Sequence, residues 1–340
     1  MRYFRTTIFA TAMLSSANIS AQADVYVVAS IKPIHSLVSA VMQGVGEPSL
    51  LIEGAGSPHN YSLKPSQAYE LQKANLIFWI GHDLEAFLER SIENIAPQAV
   101  SVPLIESHGI KTLPFREGAS FEEHGHDKHD EHDHDKHDEH DHNKHDEHDH
   151  DKHDEHGHDK HDKHDHGEFD PHVWLDPNNA KILVAEIEEQ LTKVYPKHAD
   201  TFANNANTIT KELDALTDEI NLELKDVKSK GYIVFHDAYQ YFERRFDMSA
   251  LGSITVSPEV MPGVNRIRKL QQKVKQLEAI CVFSEPQFEP KLVATITENT
   301  SAGSGVLDPL GASIEKGPQL YFKLIRNMAL SIKECLSKHD

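Results

Sequence analysis

The chain has 340 residues, 39% of them hydrophobic and 26% charged, enough to bury one or two cores of about 100 to 200 residues each and too apolar to be wholly disordered. Thirty-four Lys and Arg against 54 Asp and Glu leave a formal charge of -20, which repels nucleic acid and anionic lipid and favours cations. Most of that charge is local: residues 121–170 hold 21 acidic side chains and 6 lysines, and 17 of the 25 histidines lie between His124 and His166.

In chain order, residues 1–23 carry Arg2 and Arg5, a short apolar run over 8–14, and small or polar residues ending Ala21, Gln22, Ala23. That order predicts a cleavable secretory signal peptide, since a membrane anchor needs about 20 consecutive apolar residues. The mature chain is therefore expected in a periplasm. Short β-rich runs then alternate with amphipathic stretches: strands over 25–30, 50–52, 76–80 and 100–105, helices over 33–43, 65–74 and 84–95. After the histidine tract, 178–194 and 199–227 read as long helices punctuated by Pro196. Strands over 232–236, 250–254, 280–284 and 305–307 follow, with helices over 238–246, 264–279, 290–299 and 318–336. The fold class is α/β: two lobes, each a parallel sheet flanked by helices, joined by a long helix. The boundaries predicted are 24–177 for the first lobe, with the tract inserted at 122–168, then 178–195 for a connecting helix and 196–340 for the second lobe.

From His129 the tract repeats every eight residues as HDEHDHDK and close variants. Residues 122–168 contain no aliphatic or aromatic side chain, so ordering them would cost backbone entropy with nothing to bury; a disordered, solvated loop is predicted. A plain spacer needs no imidazole, yet these come three per full octad. His129, His132, His134, His137, His140, His142, His145, His148, His150, His153, His156 and His158 are therefore predicted to form several weak, exchangeable metal sites, their carboxylate neighbours adding a favourable field.

Eight histidines lie outside the tract. His59 sits in a turn-rich SPHNYSL segment, His172 in DPHVWLDP, and His236 closes the apolar run YIVFHD. All three are expected at or after the carboxyl ends of strands, where α/β sheets bind ligands, and Asp308 in VLDPLG occupies the corresponding end of a later strand. Three imidazoles with one carboxylate or water suit the tetrahedral preference of Zn²⁺. His35, His82, His108, His198 and His339 fall in or beside helical or surface segments and are expected to be solvated or capping, with a secondary contact to the metal as the alternative for His82 after its strand. Cys281 and Cys335 have no C-x-x-C neighbour. In an exported chain they are expected to pair, worth about 4 kcal/mol on the chain-entropy model, two buried thiols being the alternative.

With SPHNYSLKPS from Ser57, DPHVWLDP from Asp170, FHDAYQYF from Phe235, SEPQF from Ser284 and LDPLG from Leu307, the chain resembles the ZnuA-type zinc-binding receptors of ABC importers. These belong to a wider cluster that includes manganese receptors and lipoprotein adhesins. The resemblance implies a rigid connecting helix and Zn²⁺ as transported ligand in the cleft. It implies His59, His172 and His236 as ligands, with Asp308 or water as the fourth. The implied partner is an inner-membrane permease with a cytoplasmic ATPase, served by a monomeric receptor. Manganese-type members place Glu where this chain has His236, and a nitrogen-rich site suits zinc better than manganese. A zinc hydrolase is the rival from another class; Asp237 and Glu285 are near in sequence, but there is no H-E-x-x-H. A zinc-dependent adhesin is a second rival.

Overall fold

The computed structural model describes residues 25–116, 169–255, 263–276, 279–288 and 291–338. The signal peptide proposed at 1–23, the tract at 122–168 with all its candidate metal-binding histidines, and His339 lie outside the described residues.

The first sheet is built from β1 (Val27–Ala29), β2 (Ser49–Leu50), β3 (Leu76–Trp79) and β4 (Val100–Pro103), all parallel, in the order β2-β1-β3-β4. Its crossovers run through α1 (Lys32–Val41), α2 (Pro65–Lys73) and α3 (Ala86–Ile95). β3 reads LIFW with every residue buried, the continuous apolar run of a strand covered on both faces rather than the alternation of a half-solvated one. The chain then passes through two long helices, α4 (Pro177–Val194) and α5 (Ala199–Leu224).

A second sheet repeats the design. β5 (Tyr232–Val234), β6 (Gly252–Ser253), β7 (Cys281–Ser284) and β8 (Gly303–Val306) run parallel in the order β6-β5-β7-β8. Around it lie α6 (Gln240–Phe246), α7 (Val264–Gln276), α8 (Lys291–Thr297) and α9 (Leu320–Ser337). In each sheet the first strand is flanked by the second and third, so the direction of winding reverses beside β1 and beside β5, the positions where ligands gather in such folds.

Helix α5 spans about 39 Å at 1.5 Å per residue. Its buried residues Phe202, Ile209, Leu213, Leu216, Ile220 and Leu224 form one stripe, and it packs on α4, on α1 of the first lobe and on α9 of the second. One apolar core therefore runs through both lobes, with a smaller cluster around Ile233, Phe235, Leu270, Val282 and Ile296 on the second sheet. Cys281 on β7 and Cys335 on α9 are joined in a disulfide, their Cα atoms 6.2 Å apart. Lys32, at the start of α1, crosses between the lobes to donate to the carbonyl oxygens of Gly311 (2.6 Å), Ala312 (3.0 Å) and Ile314 (2.5 Å). No helix among the described residues is long and apolar enough to cross a membrane.

A buried carboxylate anchors the end of β3. Glu85 is fully buried; its Oε1 accepts from Ser30 Oγ (2.5 Å) and its Oε2 from the backbone N–H groups of Ile80 (3.0 Å) and Gly81 (3.1 Å). Gly81 turns the chain there with φ +151, and a Cβ would lie 3.0 Å from Ile105 Cγ2, so glycine is required. Burial pushes Glu85 up from 4.5 to about 7 despite those donors. A pKa raised in the folded state contributes stability in full below pH 4.5 and loses it as pH rises through about 7. Glu85→Gln keeps an acceptor for the two N–H groups without the charge. Relative to wild type, the variant should gain up to about 3 kcal/mol between pH 4.5 and pH 8. Urea unfolding of both metal-free proteins across that range checks it, and a difference independent of pH would refute it.

Candidate metal centre

His59 lies in a 3-10 turn, Pro58–Asn60, in the long loop after β2. His236 comes two residues after β5, at the winding reversal of the second sheet. Among the described residues His172 directly follows no sheet strand: it stands between the isolated bridge of Pro114 with Phe169 and the 3-10 turn Val173–Leu175 that leads into α4. The expectation of a strand end is corrected there, because a capped turn supplies the position. Asp176 caps α4 by accepting from Asn178 N (2.8 Å), Pro177 takes the first helical position, and Arg245 on α6 grips the Asp176 carboxylate at 2.6 and 2.8 Å.

These three residues meet between the lobes. One ligand atom from each lies within 4.8 Å of the others, and among the described residues this is the group of metal-binding side chains that comes together. His172 and His236 are buried, with His59 at the rim. The Nε2 atoms of His172 and His236 stand 3.4 Å apart.

A carboxylate behind each buried ring sets its tautomer. His172 Nδ1 donates to Asp170 Oδ1 at 2.6 Å, and His236 Nδ1 donates to Glu285 Oε1 at 2.7 Å. With the proton held on Nδ1, each Nε2 presents its lone pair to the cleft. Asp170 is itself held by His172 N (2.9 Å) and by Gln240 Nε2 (2.6 Å) on α6. Burial, then the neighbouring imidazoles, push His59 and His172 well below the usual imidazole range, so both are neutral. For His236 burial acts in the same direction, but the Glu285 charge and hydrogen bond overcome it and the net shift is upward. Burial raises Asp170 to about 7.

Asp308 is not in the cluster. It follows β8 as expected, but its carboxylate is engaged by its own loop. Oδ1 accepts from Leu310 N (3.1 Å), Gly311 N (2.9 Å) and Gln287 Nε2 (3.3 Å), and Oδ2 from Ala312 N (2.5 Å). Of the other histidines, His82 pairs at the surface with Glu89 (2.7 Å). His35 departs from the solvated or capping role expected of it. It is buried in α1, its Nε2 paired with the Pro48 carbonyl (3.0 Å) and its Nδ1 with Ser39 Oγ (3.3 Å), a satisfied core histidine.

An ion-paired group ties the lobes together beside the centre. Arg116, at the end of the first lobe's described chain, donates to both Asp237 oxygens through Nε (3.0 and 2.9 Å) and to Glu243 Oε2 through Nη1 (2.8 Å). Nothing in the local sequence around Arg116 marks it. Asp170 and Glu285 do carry a signal, an acid two residues before one histidine and an acid closing a buried strand.

A family model described as zinc-uptake complex component A, periplasmic (ZnuA), matches residues 27–335. The chain is 56% identical over 312 residues to the high-affinity zinc uptake system protein ZnuA of Brucella suis biovar 1, covering 92% of each protein. The chain belongs to the ZnuA family. A solved crystal structure of a ZnuA shares its fold at TM-score 0.70, with 21% identity over 92% of this chain and all of that one. The laminin-binding protein Lmb of Streptococcus agalactiae, described as bifunctional with adhesin and metal transporting activity, has the same fold at TM-score 0.67 and 22% identity, over 91% of this chain and 98% of its own. Membership in the ZnuA family accords with the motifs around His59, His172 and His236, and the paired four-stranded sheets are the architecture expected of two α/β lobes.

Proposed function

We propose that this chain is a periplasmic receptor that captures Zn²⁺ between His59, His172 and His236 and hands it to an ABC importer. The observation that carries the reading is the pair of Nε2 atoms 3.4 Å apart in a buried cleft. Two neutral rings would set lone pair against lone pair there, and either a proton on His236 Nε2 or a metal ion between the rings relieves that repulsion. Two nitrogens bound tetrahedrally at 2.0 to 2.1 Å to one zinc are about 3.4 Å apart, so the side chains already stand at ligating separation. Asp170 and Glu285 orient the rings and raise their basicity. Three nitrogen donors suit zinc better than manganese. The names of the relatives support a receptor over an enzyme.

Asp308 and water were the two options for the fourth ligand. The backbone donors around Asp308 favour water. The lobes proposed are 24–177 and 196–340 with a connecting helix at 178–195; α5, packed on both lobes, shares that connecting role and limits closure to small motions. Export through the leader at 1–23, an inner-membrane permease with its cytoplasmic ATPase as partner, and a monomeric state complete the reading. The tract supplies weak, exchangeable zinc sites that collect metal.

Deleting residues 122–168 should leave one tight site and lower the total stoichiometry in a zinc titration. Loss of the tight site as well would make the tract its scaffold. Metal analysis after native purification tests the receptor itself, with zinc expected at about one tightly held ion per chain.

A further inference from the structure

Resting on the zinc-site reading, the geometry points to Gln287 as the residue that holds a water on the metal as its fourth ligand, with Glu285 as the second acceptor for that water. Three imidazoles leave one position open on a four-coordinate zinc. His59, His172, His236, Glu285, Gln287 and Phe288 line one small cavity between the lobes, with free space of about 10 Å³, the lower bound for one water-sized body. Two oxygen atoms of that lining, Glu285 Oε2 and Gln287 Oε1, are buried without a hydrogen-bond partner among the described residues. The remaining lining is Ser57, Pro58, Trp174, Pro309 and Leu310, whose side chains carry two donors, the Ser57 hydroxyl and the Trp174 N–H. That N–H is already given to the Pro309 carbonyl at 2.9 Å.

The hydrogen-bond inventory matches. A metal-bound water uses one lone pair on the cation and has two O–H donors left; the cavity has two buried acceptors left over. Asp308 acts at one remove. By accepting from Gln287 Nε2 at 3.3 Å it fixes which end of the amide is nitrogen, and so places the Oε1 end opposite. Turning the Asp308 carboxylate onto the metal would strip acceptors from the N–H groups of Leu310, Gly311 and Ala312. A water in place of a carboxylate also leaves the donor set nitrogen-rich, which deepens the preference for zinc over manganese.

The test loads wild type, Gln287→Leu, Gln287→Glu and Asp308→Asn with Co²⁺ as a spectroscopic stand-in for zinc, and measures zinc affinity by chelator competition. Gln287→Leu should weaken zinc by about 10- to 100-fold and alter the Co²⁺ ligand-field spectrum. Gln287→Glu retains an acceptor but sets a carboxylate oxygen against Asp308 Oδ1 where the amide nitrogen stood, so it should restore only part of the affinity. Metal-free Gln287→Leu should melt close to wild type, because losing the unpaired buried Oε1 offsets losing the long Nε2 bond to Asp308, whose Oδ1 keeps two backbone donors; a purely structural role would lower it. An unchanged spectrum and affinity in Gln287→Leu would overturn the inference, as would loss of zinc in Asp308→Asn alone, which would make the carboxylate the ligand. Wild type that binds neither zinc nor Co²⁺ would instead sink the zinc-site reading, so the two failures are distinct.

Discussion

Replacing His236 with alanine is expected to lower zinc affinity on the order of a thousandfold, about 4 kcal/mol at 1.4 kcal/mol per decade. The ring is one of three protein donors, and its loss does more than remove a bond. Glu285 Oε1, which now accepts from the His236 ring at 2.7 Å, would lose that partner in a buried site. No other imidazole of the described residues is placed to substitute, since His35 is engaged in the core of the first lobe and His82 at its surface. The companion change His236→Glu separates donor chemistry from mere occupancy. An oxygen donor should weaken zinc more than manganese, and it also faces the Glu285 carboxylate across the same short distance. Competition against a chromophoric chelator for both metals decides the matter: equal losses would count against selectivity resting on nitrogen donors.

The largest loss of stability is expected from Arg116→Met. The guanidinium stands between the carboxylates of Asp237 and Glu243, and both acids are mostly buried. Burial alone pushes Asp237 and Glu243 upward, and Arg116 opposes that shift in each. Removing one partner of a buried ion pair leaves an uncompensated charge, which costs about 3 to 5 kcal/mol, whereas replacing the whole group with neutral residues is often close to neutral. Urea unfolding of the metal-free protein should show that loss for Arg116→Met. The triple change with Asp237→Asn and Glu243→Gln should recover most of it. A cost below about 1 kcal/mol for the single variant would show that the group behaves as an ordinary surface salt bridge. Arg116 joins the first lobe to α6, and α6 also supplies Gln240 to Asp170 and Tyr241 OH to the Asp170 carbonyl at 2.7 Å. The variant is therefore expected to loosen the support behind His172 and His236 as well.

The two lobes were legible because periodicity is a local property. Runs such as LIFW and YIVF, each followed by an amphipathic stretch, leave few arrangements other than parallel strands with crossover helices. The three histidines were legible for a related reason: each sits in a segment with turn chemistry or at the end of an apolar run, where a side chain has no core to join. His35 shows the limit of that reasoning. Its helix looks amphipathic, yet α1 is buried along every residue because α4, α5 and α9 pack around it. Only the neighbours make that ring a core residue.

What the amino-acid order determined by itself is the class of fold, the presence of nitrogen donors outside the tract and the family motif around each. Tertiary structure decided which donors meet and what stands behind them. Asp308 was as plausible a ligand as any by position along the chain, but backbone N–H groups of its own loop, held in place by Lys32, claim its oxygens first. Asp170, Glu285 and Arg116 acquire their roles only when segments 49 to 121 residues apart close on one cleft. The physical reason is that a hydrogen bond or a metal bond depends on separations of a few ångströms, and those are set by packing across the whole chain rather than by spacing within it.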